Sequence, residues 1–356
     1  MCGAGSTLAS ERGGNVAASH GARILVTGAS GFIGAKVVEL LLAGGFTNLC
    51  CFVRPSSRME RLQNILDRFR GPSTVEIVRG DLLSRDDCRT AAERASVIYH
   101  LAAGIDKSFA GAFMNSALAT RNLMDAFLEC GRVKRFVNVS SFAVYSNVRL
   151  KRRALLDETC PLETAPQERW DAYGFGKLKQ DELVKEYGQR YGLPYVIVRP
   201  GAVFGPGKKT LSGRVGIDTF GVFIHLGGGN TLPLTFVDNC AEAIVLAGFK
   251  PGVEGEIFNI VDNEPISSRE FLKAYKAVRP MLSLRVPYAV AYTICAMWEW
   301  YSNVSEGQLP PVFNRRRCAA DWKGNCYSNQ KLRQRMGWVP RVKMVDAMSS
   351  FLSQFE

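Results

Sequence analysis

Histidine is nearly missing from this chain, with three in 356 residues, so a metal site built on imidazoles is not expected. Its ten cysteines contain no Cys-x-x-Cys pair, which argues against a redox dithiol, a zinc ribbon or a disulfide scaffold. Buried thiols in a reducing, cytoplasmic setting are the reading they support, and Cys50 and Cys51 should point to opposite faces of one strand. No apolar run reaches the roughly 20 residues that span a bilayer, and none near the start has signal-peptide length. The most apolar stretch, 285–301, carries Glu299 and has Pro287 near its start. It is expected to form a buried or partly exposed helix, with a membrane-surface contact over 286–301 through Trp298 and Trp300 as the alternative. Zinc-finger spacing, RNA-motif signatures and basic heptads are all lacking, so the net charge of +12 does not point to nucleic acid. The basic residues are dispersed apart from two short runs, at 151–153 and 315–317, and their field would draw phosphorylated ligands.

What is present has a clear rhythm. Residues 1–21 are rich in Gly, Ala and Ser without periodicity and read as a loose tail. Apolar, β-branched runs then recur at 23–27, 48–53, 75–78, 97–101, 135–139 and 195–199. Segments of helical spacing separate them, as at Ile33, Val37, Leu40 and Leu41. Strands alternating with helices imply βαβ units, and right-handed crossovers then favour an α/β, Rossmann-type doubly wound parallel sheet. The expected partition is a dinucleotide-binding domain over 22–204 and a smaller, interleaved substrate lobe made mainly of 205–356. Residues 201–235 read as irregular, a helix is expected near 238–249, and a strand near 256–260 should rejoin the sheet.

The loop Thr27-Gly28-Ala29-Ser30-Gly31-Phe32-Ile33-Gly34 follows the first strand and opens the first helix. Glycines at 28, 31 and 34 permit a tight turn, close backbone approach to a pyrophosphate and close helix–strand packing. The helix amino terminus adds free N–H groups for the same anion. The second strand ends Val53-Arg54-Pro55-Ser56-Ser57-Arg58, with no acid to hold the ribose hydroxyls of NAD. Arg54, with Arg58 and a serine hydroxyl, suits a 2′-phosphate, so NADP is the expected cofactor and NAD the alternative.

Tyr173 and Lys177 stand four residues apart at the start of a helical segment and so share one face. A neighbouring ammonium would favour the phenolate and let the pair move a proton at a substrate oxygen. Ser141, at the end of the fifth strand, could hydrogen-bond that oxygen. Tyr145 and Arg149 have the same spacing, but the Ser146-Asn147 turn signal breaks any helix between them.

In these pieces the chain resembles the extended short-chain dehydrogenase/reductase family, also called the NAD-dependent epimerase/dehydratase family. The likeness runs from about 22 to 350. It rests on the 27–34 loop, Gly80-Asp81-Leu82, His100-Leu101-Ala102-Ala103, the 139–145 segment ending in Tyr145, Tyr173-x-x-x-Lys177 and the 199–206 segment. Phe236-Val-Asp-Asn239 and Gly337-Trp-Val-Pro340 look like landmarks of the family's substrate lobe. The resemblance implies that Asp81 and Leu82 border the adenine and that Leu101, Ala102 and Ala103 lie along the cofactor. Pro200 to Val203 would flank the nicotinamide, Ser141, Tyr173 and Lys177 would be catalytic, and His100 would be structural. Sugar-nucleotide dehydratases of the family carry Asp-Glu after the catalytic hydroxyl residue, whereas this chain has Phe142-Ala143, which speaks against dehydration. The expected activity is hydride transfer to or from a hydroxyl or ketone carbon, on a nucleotide-linked sugar. An apolar alcohol or ketone, a nucleotide-sugar epimerase and a cofactor-sensing scaffold are the alternatives, and a homodimer is the oligomer considered.

Overall fold

The computed structural model describes residues 21–355 apart from 70, 72–73, 105, 132, 209–210 and 307. The loose tail read over 1–21 thus lies, but for Gly21, outside the described residues. Seven strands form the central sheet: β1 (Ile24–Thr27), β2 (Asn48–Val53), β3 (Thr74–Arg79), β4 (Val97–His100), β5 (Arg135–Val139), β6 (Tyr195–Pro200) and β7 (Ile257–Ile260). Their order is β3-β2-β1-β4-β5-β6-β7, and every adjacent pair is parallel. Parallel strands need a helix on each face, which explains why β1, β4 and β5 are buried throughout. Cys50 faces the cluster that includes Leu123 and Phe127, whereas Cys51 faces the one that includes Val38 and Ile244, as strand alternation requires.

The chain reverses its winding between β1 and β4, so the carboxyl ends of these neighbours diverge into a crevice. Register sets Thr27 beside His100 and His100 beside Asn138 on the floor of that crevice. Helix Phe32–Ala43 leaves β1 with Gly34, Ala35, Val37, Val38, Leu41 and Leu42 buried, a stripe at helical spacing. Helix Ala172–Tyr191 is started by Asp171, whose carboxylate accepts the Gly174 N–H at 2.8 Å, and it stops at Gly192 with φ +66°. It packs on the rod formed by Phe109–Ala112, a wider π-helical stretch at Phe113–Leu118, and Ala119–Glu129. A Cβ on Gly176 would come within 2.9 Å of the Ala112 carbonyl oxygen, so the glycine before Lys177 lets these helices approach closely.

Residues 201–235 are only partly irregular. Among the described residues of 201–236 lie five short strands, Ala202–Phe204, Gly216–Thr219, Val222–Leu226, Thr231–Leu232 and Leu234–Phe236, with turns and loop between them. Each spans two to five residues, too short for alternation to show in sequence, and glycines interrupt them. Gly216–Thr219 and Val222–Leu226 form a hairpin, and Ser283–Val286 joins it as the third strand of a small sheet. Helix Tyr288–Val304 seats Ala291 and Cys295 against Leu226, Ile217 and Ile224 of that sheet. The main apolar cluster continues without a break from β1 to Val215, Leu232 and Phe271, so sheet and lobe share a core.

Candidate active site

Two clefts meet at the carboxyl end of β1. The larger, of about 570 Å³, is lined among others by Gly31, Phe32, Ile33 and Gly34 on one wall and by Ser141, Tyr173 and Lys177 on the other. The smaller, about 250 Å³, is lined by Ser30, Arg54, Asp81, Leu82 and Ala102. Gly28, Gly31, Leu101 and Ala103 border both, and Pro200 and Val203 lie in the larger. The candidate site residues read from the sequence, Arg58 excepted, therefore line one continuous crevice.

The phosphate-loop expectation can be tested by geometry. Gly28 sits at φ +68°, and a Cβ there would lie 3.0 Å from the Ala102 nitrogen. Gly34 tolerates even less, since its Cβ would fall 2.1 Å from the Gly28 carbonyl oxygen. Gly31 begins the helix with no side-chain cap, so the first helical N–H groups are left for a ligand. This cradle fits the diphosphate of a dinucleotide. Arg54 is exposed at the end of β2 and lines the smaller cleft with Ser57, while Arg58 is not among its lining residues.

At the other wall Lys177 is buried. Its ammonium donates to the Val139 carbonyl oxygen at 2.6 Å and to Gln180 Oε1 at 2.9 Å. Burial lowers its pKa to about 8, against the opposing pull of Asp181. Gln180 Nε2 donates to Thr120 Oγ1 at 2.6 Å, and Thr120 donates to the Ser116 carbonyl oxygen at 2.6 Å. With that hydroxyl proton committed, His100 Nε2, 2.8 Å from Thr120 Oγ1, must be the donor. Nδ1 is then left to accept from Thr27 Oγ1 at 2.8 Å. Burial and the Lys177 charge drive His100 down to about 3, so it is a neutral, structural link. The chain Lys177–Gln180–Thr120–His100–Thr27 thus ties the lysine to the residue before the glycine loop.

One electrostatic expectation fails. The Tyr173 phenol is raised, not lowered: burial dominates, Asp171 and Asp181 add to it, and only the Ser141 hydroxyl pulls the other way. The physical reason is orientation, because the Lys177 ammonium is turned to Val139 and Gln180. Tyr145 stands apart from this chemistry. It is buried, its hydroxyl donates to Asn259 Oδ1 at 2.7 Å, and Arg199 lies 4.8 Å over its ring.

Sequence reading missed the outer half of the cleft, where Arg169, Asp171, Lys208, Arg214, Arg317 and Asp321 line the wall. Arg169 is tied to the Tyr145 and Ala143 carbonyls and to Asp171. Lys208 donates to the Val203 carbonyl oxygen at 2.8 Å and Arg214 to that of Ala320 at 2.9 Å. Neither has a carboxylate partner among the described residues, so both keep donors for a ligand. Asp171 alone carried a signal, a helix-capping residue two before Tyr173. In the basic run at 315–317, Arg315 and Arg316 pair with Glu299 and with Glu163 and Glu168. Among the described residues no group of His, Cys, Asp or Glu is placed to hold a metal ion.

The model of the NAD dependent epimerase/dehydratase family matches residues 24–260, which carry the loop, the Tyr173 helix and β1 to β7. The chain belongs to this family. It is an NAD(P)-dependent oxidoreductase or epimerase of the extended short-chain dehydrogenase/reductase type. Among curated relatives it is 27% identical to a 3-beta-hydroxysteroid dehydrogenase of Mycolicibacterium neoaurum, over 94% of this chain and 91% of that one. It is 25% identical to 3beta-hydroxysteroid-dehydrogenase/decarboxylase isoform 2 of Arabidopsis thaliana, where the match takes in 93% of this chain but 61% of the plant protein. In fold it is similar to the UDP-glucuronic acid 4-epimerase of Bacillus cereus in complex with NAD, with a TM-score of 0.69 at 21% identity, over 94% of this chain and 96% of that one.

Proposed function

We propose that this protein moves a hydride between a nicotinamide dinucleotide and a carbinol or ketone carbon of an anionic, diphosphate-linked sugar. The bound cofactor supplies or accepts the hydride. The Tyr173 hydroxyl gives or takes the proton at the substrate oxygen, and Ser141 donates a hydrogen bond to that oxygen. Lys177 holds the cofactor ribose, and its charge, when turned from Val139, lowers the phenol. Gly28, Gly31 and Gly34 hold the diphosphate, Asp81 and Leu82 border the adenine, and Arg54 with Ser57 selects NADP. The observation that carries the substrate class is the pairing of Lys208 and Arg214, cations without carboxylate partners, in the same cleft as Tyr173.

An apolar ketone is the second reading, favoured by Phe32, Phe142, Ala202 and Val203 in that cleft and by the steroid dehydrogenases among the relatives. Consumption of NADPH and NADH, followed against keto-sugar nucleotides and steroid ketones, separates the two. Turnover of the nucleotides that falls on Arg214→Ala supports the first reading. Steroid turnover indifferent to Arg214→Ala establishes the second in its place.

A further inference from the structure

Arg169 is buried, and its guanidinium joins two segments of the active site that lie apart in sequence. Nη1 donates to the Tyr145 carbonyl oxygen at 3.0 Å, and Nη2 to that of Ala143. Nη2 also donates to Asp171 Oδ2 at 2.8 Å, while the other oxygen of that carboxylate caps the Tyr173 helix through the Gly174 N–H. Glu163, equally buried, stands 3.8 Å from Nη1 and is held in turn by Arg316 at 3.2 Å. The chain is shaped for this seat. Trp170, between Arg169 and Asp171, holds φ +56°, a left-handed conformation that bulky residues rarely adopt and that persists where the surroundings impose it. A Cβ on Gly174 would fall 2.3 Å from Arg169 Nη2, so the glycine leaves room for the guanidinium.

What this grip holds is a pair of hydroxyls. Ser141 Oγ accepts the Ala143 N–H at 3.1 Å, which opens the short turn Phe142–Val144. So oriented, the Ser141 hydroxyl keeps its proton for the Tyr173 phenol, with which it is hydrogen-bonded. Ala143 is therefore fixed at both ends, its N–H by Ser141 and its carbonyl by Arg169. The same guanidinium fixes Asp171, the cap two residues before Tyr173. Three acceptors spread over Ala143, Tyr145 and Asp171 suit the planar fork of an arginine, and a compact ammonium does not span them. We propose that Arg169 is a positioning residue that locks the turn after Ser141 to the cap before Tyr173 and so keeps the two hydroxyls in contact. The inference rests on the assignment of Ser141 and Tyr173 to the reacting oxygen.

The test is a double-mutant cycle between Arg169 and Ser141, read at the Tyr173 phenol without cofactor or substrate. Fluorotyrosine is incorporated into the full chain, the Tyr173 resonance is assigned with Tyr173→Phe, and its ionisation is followed by fluorine nuclear magnetic resonance. In the native chain Ser141→Ala should raise the midpoint by about 1 pH unit, the effect of one lost hydrogen bond to a charged oxygen. In Arg169→Met the same change should move it by less than about 0.3 unit, because the contact is already gone. Asp171 lies beside Arg169, so Arg169→Met shifts the phenol by itself, and the size of the Ser141 effect is the readout. Should Arg169→Met not melt cooperatively, Arg169→Lys takes its place with the same loss expected. An equal Ser141 effect in both backgrounds overturns the proposal, since Arg169 then does not hold the contact. So does a native phenol that ignores Ser141→Ala, since no contact is there to hold. Whether Tyr173 is the catalytic acid is judged separately, by turnover of Tyr173→Phe, so the two readings can fail apart.

Discussion

Lys177 and Gln180 share one turn of the same helix, and the ammonium of the first donates to the side-chain oxygen of the second at 2.9 Å. That contact sets where the lysine waits. It also joins the lysine through Thr120 and His100 to Thr27, so the two walls of the cofactor crevice are held in one hydrogen-bonded frame. Gln180→Leu keeps approximate volume and removes the acceptor. The Lys177 pKa should then fall further below about 8, because its charged form loses a partner in a buried place. Gln180→Glu should raise it. Titration of carbon-labelled lysine followed by nuclear magnetic resonance reads both, and an unmoved Lys177 in both variants rules out the positioning role.

The proposed preference for NADP rests on Arg54, exposed at the edge of the smaller cleft. Arg54→Asp should weaken NADPH binding by about 1.5–3 kcal/mol, the worth of a hydrogen bond to a charged group. NADH should change far less. Fluorescence titration of both cofactors against both proteins decides it, and an unchanged ratio removes Arg54 from the site.

The glycines of the loop should fail in different ways. At Gly31 an added Cβ would meet only the Gly28 carbonyl oxygen, at 3.1 Å. Gly31→Val should therefore fold but lose dinucleotide binding, as its branches fill the anion's space. At Gly34 the Cβ would strike that same oxygen at 2.1 Å, so Gly34→Ala should cost about 1–3 kcal/mol of stability before any ligand is added. Calorimetry and melting curves on the pair separate binding from folding. Normal cofactor binding by Gly31→Val would place the diphosphate elsewhere.

His100 predicts an acid limb. Its folded pKa, about 3, lies below the 6.5 of a free imidazole, so between these values the unfolded chain binds the extra proton. Stability should be intact above about pH 6.5 and fall as pH drops toward 3, by up to about 1.4 kcal/mol per pH unit. His100→Gln should melt lower at pH 7 but lose less between pH 7 and 4. Parallel slopes for the two proteins would show that His100 does not set this limb.

Much of this is legible in the sequence. The strands of the central sheet are long enough, and apolar enough on both faces, for the βαβ rhythm to show. The 27–34 loop and the Tyr173 helix carry fixed spacings that geometry imposes. What stayed hidden was short or non-local. Strands of two to five residues within 201–236 leave no periodic trace. Lys208, Arg214 and Arg317 reach the cleft from the lobe, at separations no spacing rule covers. The Gln180 contact could be guessed from its place three after Lys177, but its partner Thr120 is 60 residues away. The raised phenol of Tyr173 is not legible either, because sequence gives the neighbour, Lys177, and not the direction of its ammonium.

The proton relay is where the functional reading is most exposed. Tyr173 opens its helix one turn before Lys177 and faces the cleft beside Ser141. Tyr173→Phe removes the only hydroxyl assigned to proton transfer and keeps the ring, so turnover should drop by about 10²–10⁴ with cofactor affinity little changed. Ser141→Ala should lower turnover through one lost hydrogen bond to the reacting oxygen. Lys177→Met should differ from both by weakening cofactor binding as well, since the lysine is assigned to the ribose. Single-turnover hydride transfer at saturating cofactor is the measurement. Tyr145, buried with its hydroxyl committed to Asn259, is the internal control. Tyr145→Phe should cost stability and leave the chemical step nearly intact. Near-normal transfer in Tyr173→Phe together with its loss in Tyr145→Phe would transfer the proton to the wrong tyrosine for this site, and the assignment of the whole triad would fall with it.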